Sequence, residues 1–255
     1  MNKYLYCIIP CADERTFDVP AIGNGGGPVH TICHQELAVV VSGSPQTRYE
    51  STRQNMITHE KVLERVMREF TLLPVRFDTV TDSASPVMEI QKLLATKFEE
   101  FNGLLKDMEG KVELGLKAFW RDEKAIFQEI VDENLDIRRL RDSLSRQPPQ
   151  ATQHERMILG EMVKAALERK RHREAARLLE PLRPLASRVQ ENKVIIDRML
   201  LNAAFLVEKR REPEFDTVIK DEEAAHNGRI VFKYIGPVPP YNFVNIVVNW
   251  EELKG

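Results

Sequence analysis

The sequence contains little cysteine and no long apolar run. Its three cysteines, Cys7, Cys11 and Cys33, lie near the start of a chain of 255 residues. An odd and sparse count does not make a disulfide framework, so a reducing, cytoplasmic compartment is expected. No segment approaches the 18 or so consecutive apolar residues of a membrane helix, and the apolar start is too short for a signal peptide. We therefore expect a soluble, cytoplasmic protein with no membrane partner.

A strong net charge is also absent. The chain has 37 Lys and Arg against 39 Asp and Glu, a formal charge of −2, which provides no long-range field to attract polyanions. The strongest basic cluster is "RKRHR" at 169–173, whose side chains would wrap around a helix. We interpret it as a solvated helix face, with partner docking as the alternative, and expect no nucleic-acid partner. RNA binding through a sheet is a weaker alternative, because the aromatic signature of that mode is missing.

Motifs for catalysis or cofactor binding are missing too. His30, Cys33 and His34 lie close together in "HTICH", but a metal site would require a second ligand cluster or a CxxC pair. The glycine-rich stretch "GNGGGP" at 23–28 is followed by a predicted strand and by no Lys-Ser/Thr pair, so a loop is expected and not a phosphate site. No GxSxG or other nucleophile motif occurs. We expect no catalytic, cofactor-binding or metal-binding residues and no enzymatic activity.

The composition that remains is that of a folded protein, with 42% apolar and 30% charged residues. In the first half, apolar alternation and helical spacing predict both strands and helices. The predicted strands are 3–10, 29–33 and 37–42, an extended segment follows at 71–80, and the predicted helices are 55–70 and 86–108.

The second half begins with an alternating strand at 111–120. A helix at 121–134, a break at Pro148 and Pro149, a long charged helix from His154 and a strand region at 192–207 follow. A helix at 212–227 and a strand at 228–236 complete the order β, α, α, β, α, β. This order predicts a split βαβ arrangement with a helical hairpin. The fold class is therefore α+β with two domains, at 1–110 and 111–255.

An unusual proline cluster follows the last predicted strand, in "GPVPPY" at 236–241. Gly236 and the three prolines Pro237, Pro239 and Pro240 should end the strand and stiffen a turn. Tyr241 and Phe243 are then expected to pack back as anchors. From the residues alone, a rigid turn that caps the core is the main interpretation.

Three motifs, in the same order along the chain, resemble those of the GvpF/GvpL family of gas vesicle proteins. They are "YIGPVPPYNFV" at 234–244, "LLPVRFDTV" at 72–80 and "LNAAFLV" at 201–207. Asp78 stands where the second motif usually has glycine, so the turn conformation there is a point to test. The resemblance implies an accessory protein of gas vesicle assembly, in the cytoplasm and at the vesicle. It also implies an N-terminal α+β domain and a C-terminal domain of modified ferredoxin-like fold with added long helices.

The resemblance further implies that the main partner is the small hydrophobic shell protein GvpA, with other vesicle accessory proteins as further partners. We expect the loop from Gly236 to Phe243 to be a partner-binding surface, because an unpolymerised shell subunit exposes apolar surface that must be covered. Arg76 is expected at the domain junction, paired to a carboxylate or fixing the two domains through a charge-assisted bond. The alternative function is a small-molecule regulatory or enzymatic module, because ferredoxin-like scaffolds carry many functions.

Overall fold

A computed structural model describes residues 1–23, 25–226 and 228–253. The chain divides into two compact units, one formed by Met1–Glu113 with Gly236–Gly255 and the other by Leu114–Ile235. Asn24 of the predicted glycine loop, Asn227 of the last predicted helix, and Lys254 and Gly255 of the predicted second domain lie outside the described residues. None of the described helices is long and apolar enough to cross a membrane.

The first unit contains a five-stranded sheet in the order β2-β3-β4-β1-β5. Its strands are β1 (Asn2–Pro10), β2 (Thr16–Phe17), β3 (Val29–His34), β4 (Leu37–Ser44) and β5 (Leu73–Pro74). The pairs β1–β4, β1–β5, β2–β3 and β3–β4 are antiparallel. Every residue of β4 is buried, because this strand has neighbours on both sides and "LAVVV" is apolar at every position.

Three helices accompany this sheet: α1 (Arg53–Met67), α2 (Pro86–Thr96) and α3 (Phe98–Met108). The hydroxyl of Thr52 caps α1 by accepting the Asn55 N–H at 3.2 Å. The prediction of one helix over 86–108 was wrong, because Lys97 leaves the helical region (φ −106°, ψ 17°) and separates α2 from α3. Apolar spacing continues through this break, so the periodicity did not reveal it.

The second unit follows the element order βαββαβ with extra helices. Its elements in chain order are β6 (Lys111–Trp120), α4 (Glu123–Glu133), α5 (Leu135–Leu144), α6 (Gln153–Leu179), β7 (Ala186–Glu191), β8 (Met199–Glu208), α7 (Glu212–Ala225) and β9 (Ile230–Val238). The first three residues of β6 and the last three of β9 belong to the first unit. The strands form one sheet in the order β7-β8-β6-β9. The mixed helix and sheet content confirms the α+β class, and the element order is the one expected of a ferredoxin-like fold.

Several details of the second unit differ from the sequence-based expectations. Helix α5 was not predicted, and β7 begins at Ala186, before the region in which strands were expected. Gly236 does not end the last strand, since β9 continues to Val238 and includes Pro237. The strand tolerates this proline because β9 lies at an edge of its sheet.

The division into units also differs from the predicted domains 1–110 and 111–255. Residues 236–255, which were assigned to the second domain, belong to the first compact unit. The reason is tertiary pairing: Ile246 forms a parallel bridge with Val75, and the Trp250 indole N–H donates to the Val80 carbonyl at 2.9 Å. As units of folding, the domains 1–110 and 111–255 stay a prediction.

A tyrosine and a histidine share a hydrogen bond inside the first unit. The Tyr4 hydroxyl lies 2.9 Å from His59 Nδ1 and accepts the Asp78 N–H at 3.2 Å, so it is free to donate to the imidazole. His59 is only 3% exposed, and its Nε2 has no partner among the described residues. Burial therefore lowers the pKa of His59 to about 4.

Asp78 occupies the left-handed region, with φ +66°, where glycine is the residue without steric cost. Its carboxylate compensates by accepting the Tyr49 N–H at 2.5 Å. Aspartate is among the few residues other than glycine that visit this region, and here its side chain is held by a residue distant along the chain. The turn that glycine would form in the family motif is thus formed here by a hydrogen-bonded aspartate.

The buried imidazole predicts a loss of stability in acid. The pKa of His59 in the folded protein lies below the usual value of about 6.5, so protonation of the imidazole favours the unfolded chain. The contribution of neutral His59 to the unfolding free energy is complete above pH 6.5 and declines as the pH falls toward 4. Between pH 7.5 and pH 5, the wild type should lose about 2 kcal/mol more unfolding free energy than His59→Asn, whose side chain does not titrate. Urea denaturation at both pH values measures this, and parallel losses in the two proteins would contradict it.

Asp78 supplies a second test of the fold. Asp78→Ala and Asp78→Gly both lose the bond to Tyr49, but only alanine retains a Cβ at positive φ. We expect the alanine variant to be less stable than the glycine variant by about 1 kcal/mol. Asp78→Asn keeps an acceptor and should remain within about 1 kcal/mol of the wild type. Equal stability of the alanine and glycine variants in thermal unfolding would show that the positive φ carries no strain.

Candidate partner-binding site

The segment 239–253, here called the C-terminal segment, is fastened to the first unit by buried residues. Val244 and Ile246 are 5% and 6% exposed, and the Ile246 carbonyl accepts the Arg76 N–H at 3.1 Å. Pro239 and Pro240 are buried as well. The Pro240 carbonyl accepts the Val244 N–H at 2.9 Å and so closes a tight turn. The segment is therefore a fixed part of the unit and not a free tail.

A buried carboxylate holds the turn itself. Glu113 is 3% exposed, and its two oxygens accept the Asn242 main-chain N–H at 2.8 Å and side-chain N–H at 2.5 Å. Burial raises the pKa of Glu113, while these two bonds act in the opposite direction. The alternation of β6 would place Glu113 on the polar, solvated face of the strand, but the residue is buried because the turn from Pro239 to Val244 covers it.

Tyr241 is the exposed aromatic residue of this turn. It is 40% exposed, and its hydroxyl donates to Glu60 Oε2 of α1 at 2.6 Å. Burial raises the pKa of Glu60, the bond from Tyr241 lowers it, and the nearby charge of Glu64 raises it. Burial of the hydroxyl and the adjacent Glu60 charge also raise the pKa of Tyr241.

An apolar and acidic strip of α1 lies beside this bond. Met56 and Ile57 are 44% and 39% exposed, and they precede Glu60 by four and three residues, so all three share a helix face with exposed Glu64. Glu60, Glu64 and Glu113 form no ion pair with Lys or Arg within residues 1–23, 25–226 and 228–253. Met56, Ile57, Glu60, Glu64 and Tyr241 are named the Tyr241 surface below.

The predicted partner-binding residues therefore divide into two groups. Gly236, Pro237 and Tyr241 are exposed and Phe243 is half-buried, whereas Pro239 and Pro240 are buried and hold the turn. Sequence reasoning missed Glu60 and Glu113, because each is far along the chain from the turn that it contacts. The predicted role of the loop from Gly236 to Phe243 in partner binding stays a prediction.

Arg76 is exposed, and its main-chain N–H donates to the Ile246 carbonyl of the C-terminal segment. In the described part of the chain, its guanidinium forms no ion pair or hydrogen bond, so the predicted charge-assisted bond is not observed there. Its carbonyl accepts the Thr79 hydroxyl at 2.6 Å, within the turn that contains Asp78. A role of Arg76 at a domain junction stays a prediction.

The histidine and glycine clusters take part in local packing. His30 lies 3.3 Å from the Lys3 amine through Nε2 and 3.0 Å from the Pro28 carbonyl through Nδ1. No group of three or more metal-ligating side chains was found among the described residues. A Cβ at Gly26 would overlap the Gly43 carbonyl oxygen, so close packing against β4 requires this glycine.

A charged network occupies the second unit. Lys170 is 4% exposed, and its amine lies 2.9 Å from Glu129 and 2.6 Å from Glu133. Arg229 forms a fork on Glu129, with N–O distances of 2.5 and 3.0 Å, and contacts Glu174 at 2.8 Å. The bond from Arg229 is the main reason that the pKa of Glu129 falls to about 2. Burial opposes the charge of Lys170, but its bonds to Glu133 and Glu129 outweigh that effect and raise its pKa.

This network corrects the interpretation of "RKRHR" as a wholly solvated face. Lys170 points into the unit, and Arg171 donates to the carbonyls of Met199 and Asp197 at 3.0 and 2.9 Å. Arg173 is exposed and pairs with Glu133 at 3.4 Å. Beside the network lies a cavity of about 460 Å³. Its lining includes Lys170, Arg173, Arg177, Arg229 and three glutamates.

Comparisons with known proteins identify the relatives of this chain. A family model described as "Gas vesicle synthesis protein GvpL/GvpF" matches residues 2–245. The chain is 27% identical to gas vesicle protein F of Dolichospermum flosaquae, across 95% of this chain and 97% of the relative. It is 26% identical to gas vesicle protein F1 of Halobacterium salinarum, across 100% and 98%.

Solved structures agree with these relatives. The fold matches the crystal structure of GvpF from Anabaena sp. PCC7120 with a TM-score of 0.81 and 28% identity, across 97% of this chain and 99% of the other. It matches GvpF from Microcystis aeruginosa with a TM-score of 0.77 and 26% identity, across 95% and 98%. The similarity thus extends over both compact units.

The contact between Glu113 and Asn242 predicts that the turn depends on one carboxylate. Glu113→Ala should lower the unfolding free energy by about 3 kcal/mol, because two hydrogen bonds to a buried carboxylate are lost. Glu109→Ala, an exposed residue nearby, is the matched control and should change stability by less than about 0.5 kcal/mol. Urea denaturation measures both, and a Glu113 variant as stable as the control would contradict the anchoring role.

Proposed function

Because the chain belongs to the gas vesicle synthesis protein GvpL/GvpF family, we propose that it is an accessory protein of gas vesicle assembly that binds the major shell protein GvpA. Family membership connects the chain with gas vesicles; the partner and the step in assembly are the proposal. The single observation that supports it best is the Tyr241 surface, which combines exposed apolar side chains with a rigidly anchored turn. We place its action in the cytoplasm and at the growing vesicle.

The physical need for such a protein follows from the nature of a polymerising shell. A subunit that packs into an apolar wall exposes apolar surface and unpaired strand edges until it is incorporated. A protein that binds this surface reversibly must therefore present apolar groups and yet bind few other proteins. Met56, Ile57 and Tyr241 provide a small apolar area, and Glu60 and Glu64 restrict it to partners that bring a positive charge.

Anchoring of the turn favours this use. Pro239, Pro240 and the bonds of Asn242 to Glu113 hold Tyr241 in place before a partner arrives, so little conformational entropy is lost on binding. The exposed residues Gly236 and Pro237 extend the proposed contact toward the end of β9. The role is one of binding, without a catalytic step.

A second candidate function is supported by the cavity in the second unit. Four cationic side chains, Lys170, Arg173, Arg177 and Arg229, face three glutamates there, which leaves an excess of positive charge. This arrangement suits a small anionic metabolite and thus a regulatory module. A saturable rise in melting temperature with an organic anion, lost in Arg177→Ala, would support it.

Co-purification with GvpA from the same organism tests the first proposal. We expect Ile57→Ala combined with Tyr241→Ala to weaken the interaction more than tenfold, because exposed apolar and aromatic groups dominate such contacts. Ile195→Ala removes an exposed isoleucine of the second unit and should leave binding unchanged.

The outcomes are distinct. Unchanged binding by the double variant would move the contact away from the Tyr241 surface. Absence of binding by the wild type, with both proteins soluble and folded, would refute the interaction with GvpA. Tyr241→Phe separates the ring from the hydroxyl, since it keeps the apolar contact and loses only the bond to Glu60.

A further inference from the structure

Two thiols converge on one carbonyl oxygen in the first unit. The sulfur atoms of Cys11 and Cys33 each lie 3.2 Å from the main-chain oxygen of Asp13. The two sulfur atoms are therefore separated by at most twice this distance. Cys33 Sγ also lies 3.7 Å from the hydroxyl of Thr31.

The course of the chain explains this convergence. Cys11 follows the end of β1, and the next residues cross to β3, where Arg15 and Thr31 exchange two hydrogen bonds of 2.8 and 3.0 Å. Alternation along β3 places Thr31 and Cys33 on the same face. The crossing segment thus carries Cys11 and Asp13 to the side of β3 on which Cys33 lies.

The three cysteines differ in access to solvent. Cys33 is partly exposed, Cys11 is 8% exposed, and Cys7 is completely buried in β1. A reagent in solution therefore reaches Cys33 first. Cys11 is the thiol close enough to react next, and Cys7 is protected.

We propose that Cys11 and Cys33 form a redox modification site, a dithiol that is oxidised to an intramolecular disulfide by exchange with a small-molecule disulfide. The Cys33 thiolate attacks one sulfur of the small disulfide, forms a mixed disulfide and releases one small thiol. The Cys11 thiolate then attacks Cys33 Sγ and releases the second small thiol. In sum, one small disulfide is reduced to two thiols, two protein thiols become one disulfide, and their two protons pass to the released thiols.

The surroundings of Cys11 and Cys33 determine how fast the disulfide forms and how it changes the stability of the unit. Burial raises the pKa of Cys33, and the charges of Glu14 and Asp13 act in the same direction. Exchange should therefore be slow at neutral pH and faster in alkali, since only the thiolate attacks. The disulfide would join the end of β1 to β3 and close the loop that contains β2, so it should stabilise the unit by restricting the unfolded chain. This inference is independent of the proposed vesicle role.

Treatment of the full-length protein with oxidised glutathione tests the site. In the wild type we expect two of three thiols to disappear, with a peptide that links Cys11 to Cys33 in mass spectrometry and no glutathione adduct at completion. Cys11→Ser should stop at a glutathione adduct on Cys33, because the second thiol is missing. Cys33→Ser should react at least tenfold more slowly than the wild type.

A second measurement distinguishes the linkage from a mere surface reaction. Oxidation should raise the melting temperature of the wild type by several degrees, reversibly on addition of dithiothreitol, and leave both serine variants without such a rise. A stable glutathione adduct on wild-type Cys33, or a disulfide between two chains, would overturn the proposal. Three intact thiols after prolonged treatment at alkaline pH would overturn it as well.

Discussion

The hydrogen bonds between the Glu113 carboxylate and Asn242 are the constraint on which the candidate site depends. A buried carboxylate is costly unless its oxygens accept hydrogen bonds, and here both oxygens do so from one residue of a distant turn. The same contact closes the first unit, because Glu113 ends its long stretch of chain and Asn242 belongs to the returning one. Tyr241, the residue before Asn242, is thereby held against Glu60 and remains partly exposed. The Glu113–Asn242 contact thus both anchors the turn and holds Tyr241 at the surface.

In the second unit too, a buried charged side chain requires partners, but here the buried charge is positive. Lys170 is buried at the centre of three carboxylates, and Arg229 neutralises two of them from another element. The Trp120 indole N–H also donates to Glu174 at 2.7 Å. A network of this kind is costly to break, because removal of one member leaves buried charge without a partner. It ties α4 and α6 to Arg229, which directly precedes β9.

The sequence predicted some features of the glycine- and proline-containing segments and not others. The glycine-rich stretch was expected to be a loop, and the close approach of Gly26 to Gly43 gives the physical reason for a glycine at that one position. Asp78 could not be interpreted from the sequence, because its positive φ depends on a bond to Tyr49 across the unit. The proline turn was expected to be rigid, but which of its residues remain exposed was decided by packing. Pro239 and Pro240 became anchors, and Tyr241 retained an exposed face.

The sequence by itself determined the α+β class, most strands and helices, and membership of the GvpL/GvpF family, because apolar periodicity and three spaced motifs are local properties. Tertiary structure alone decided the return of residues 236–255 to the first unit, the burial of Glu113 and Lys170, and the meeting of Cys11 with Cys33. Each of these joins residues that are distant along the chain, and local patterns carry no information on such pairs. A charged residue in an alternating strand or a helix is expected in solvent, and only its partner across the fold reveals why it is buried.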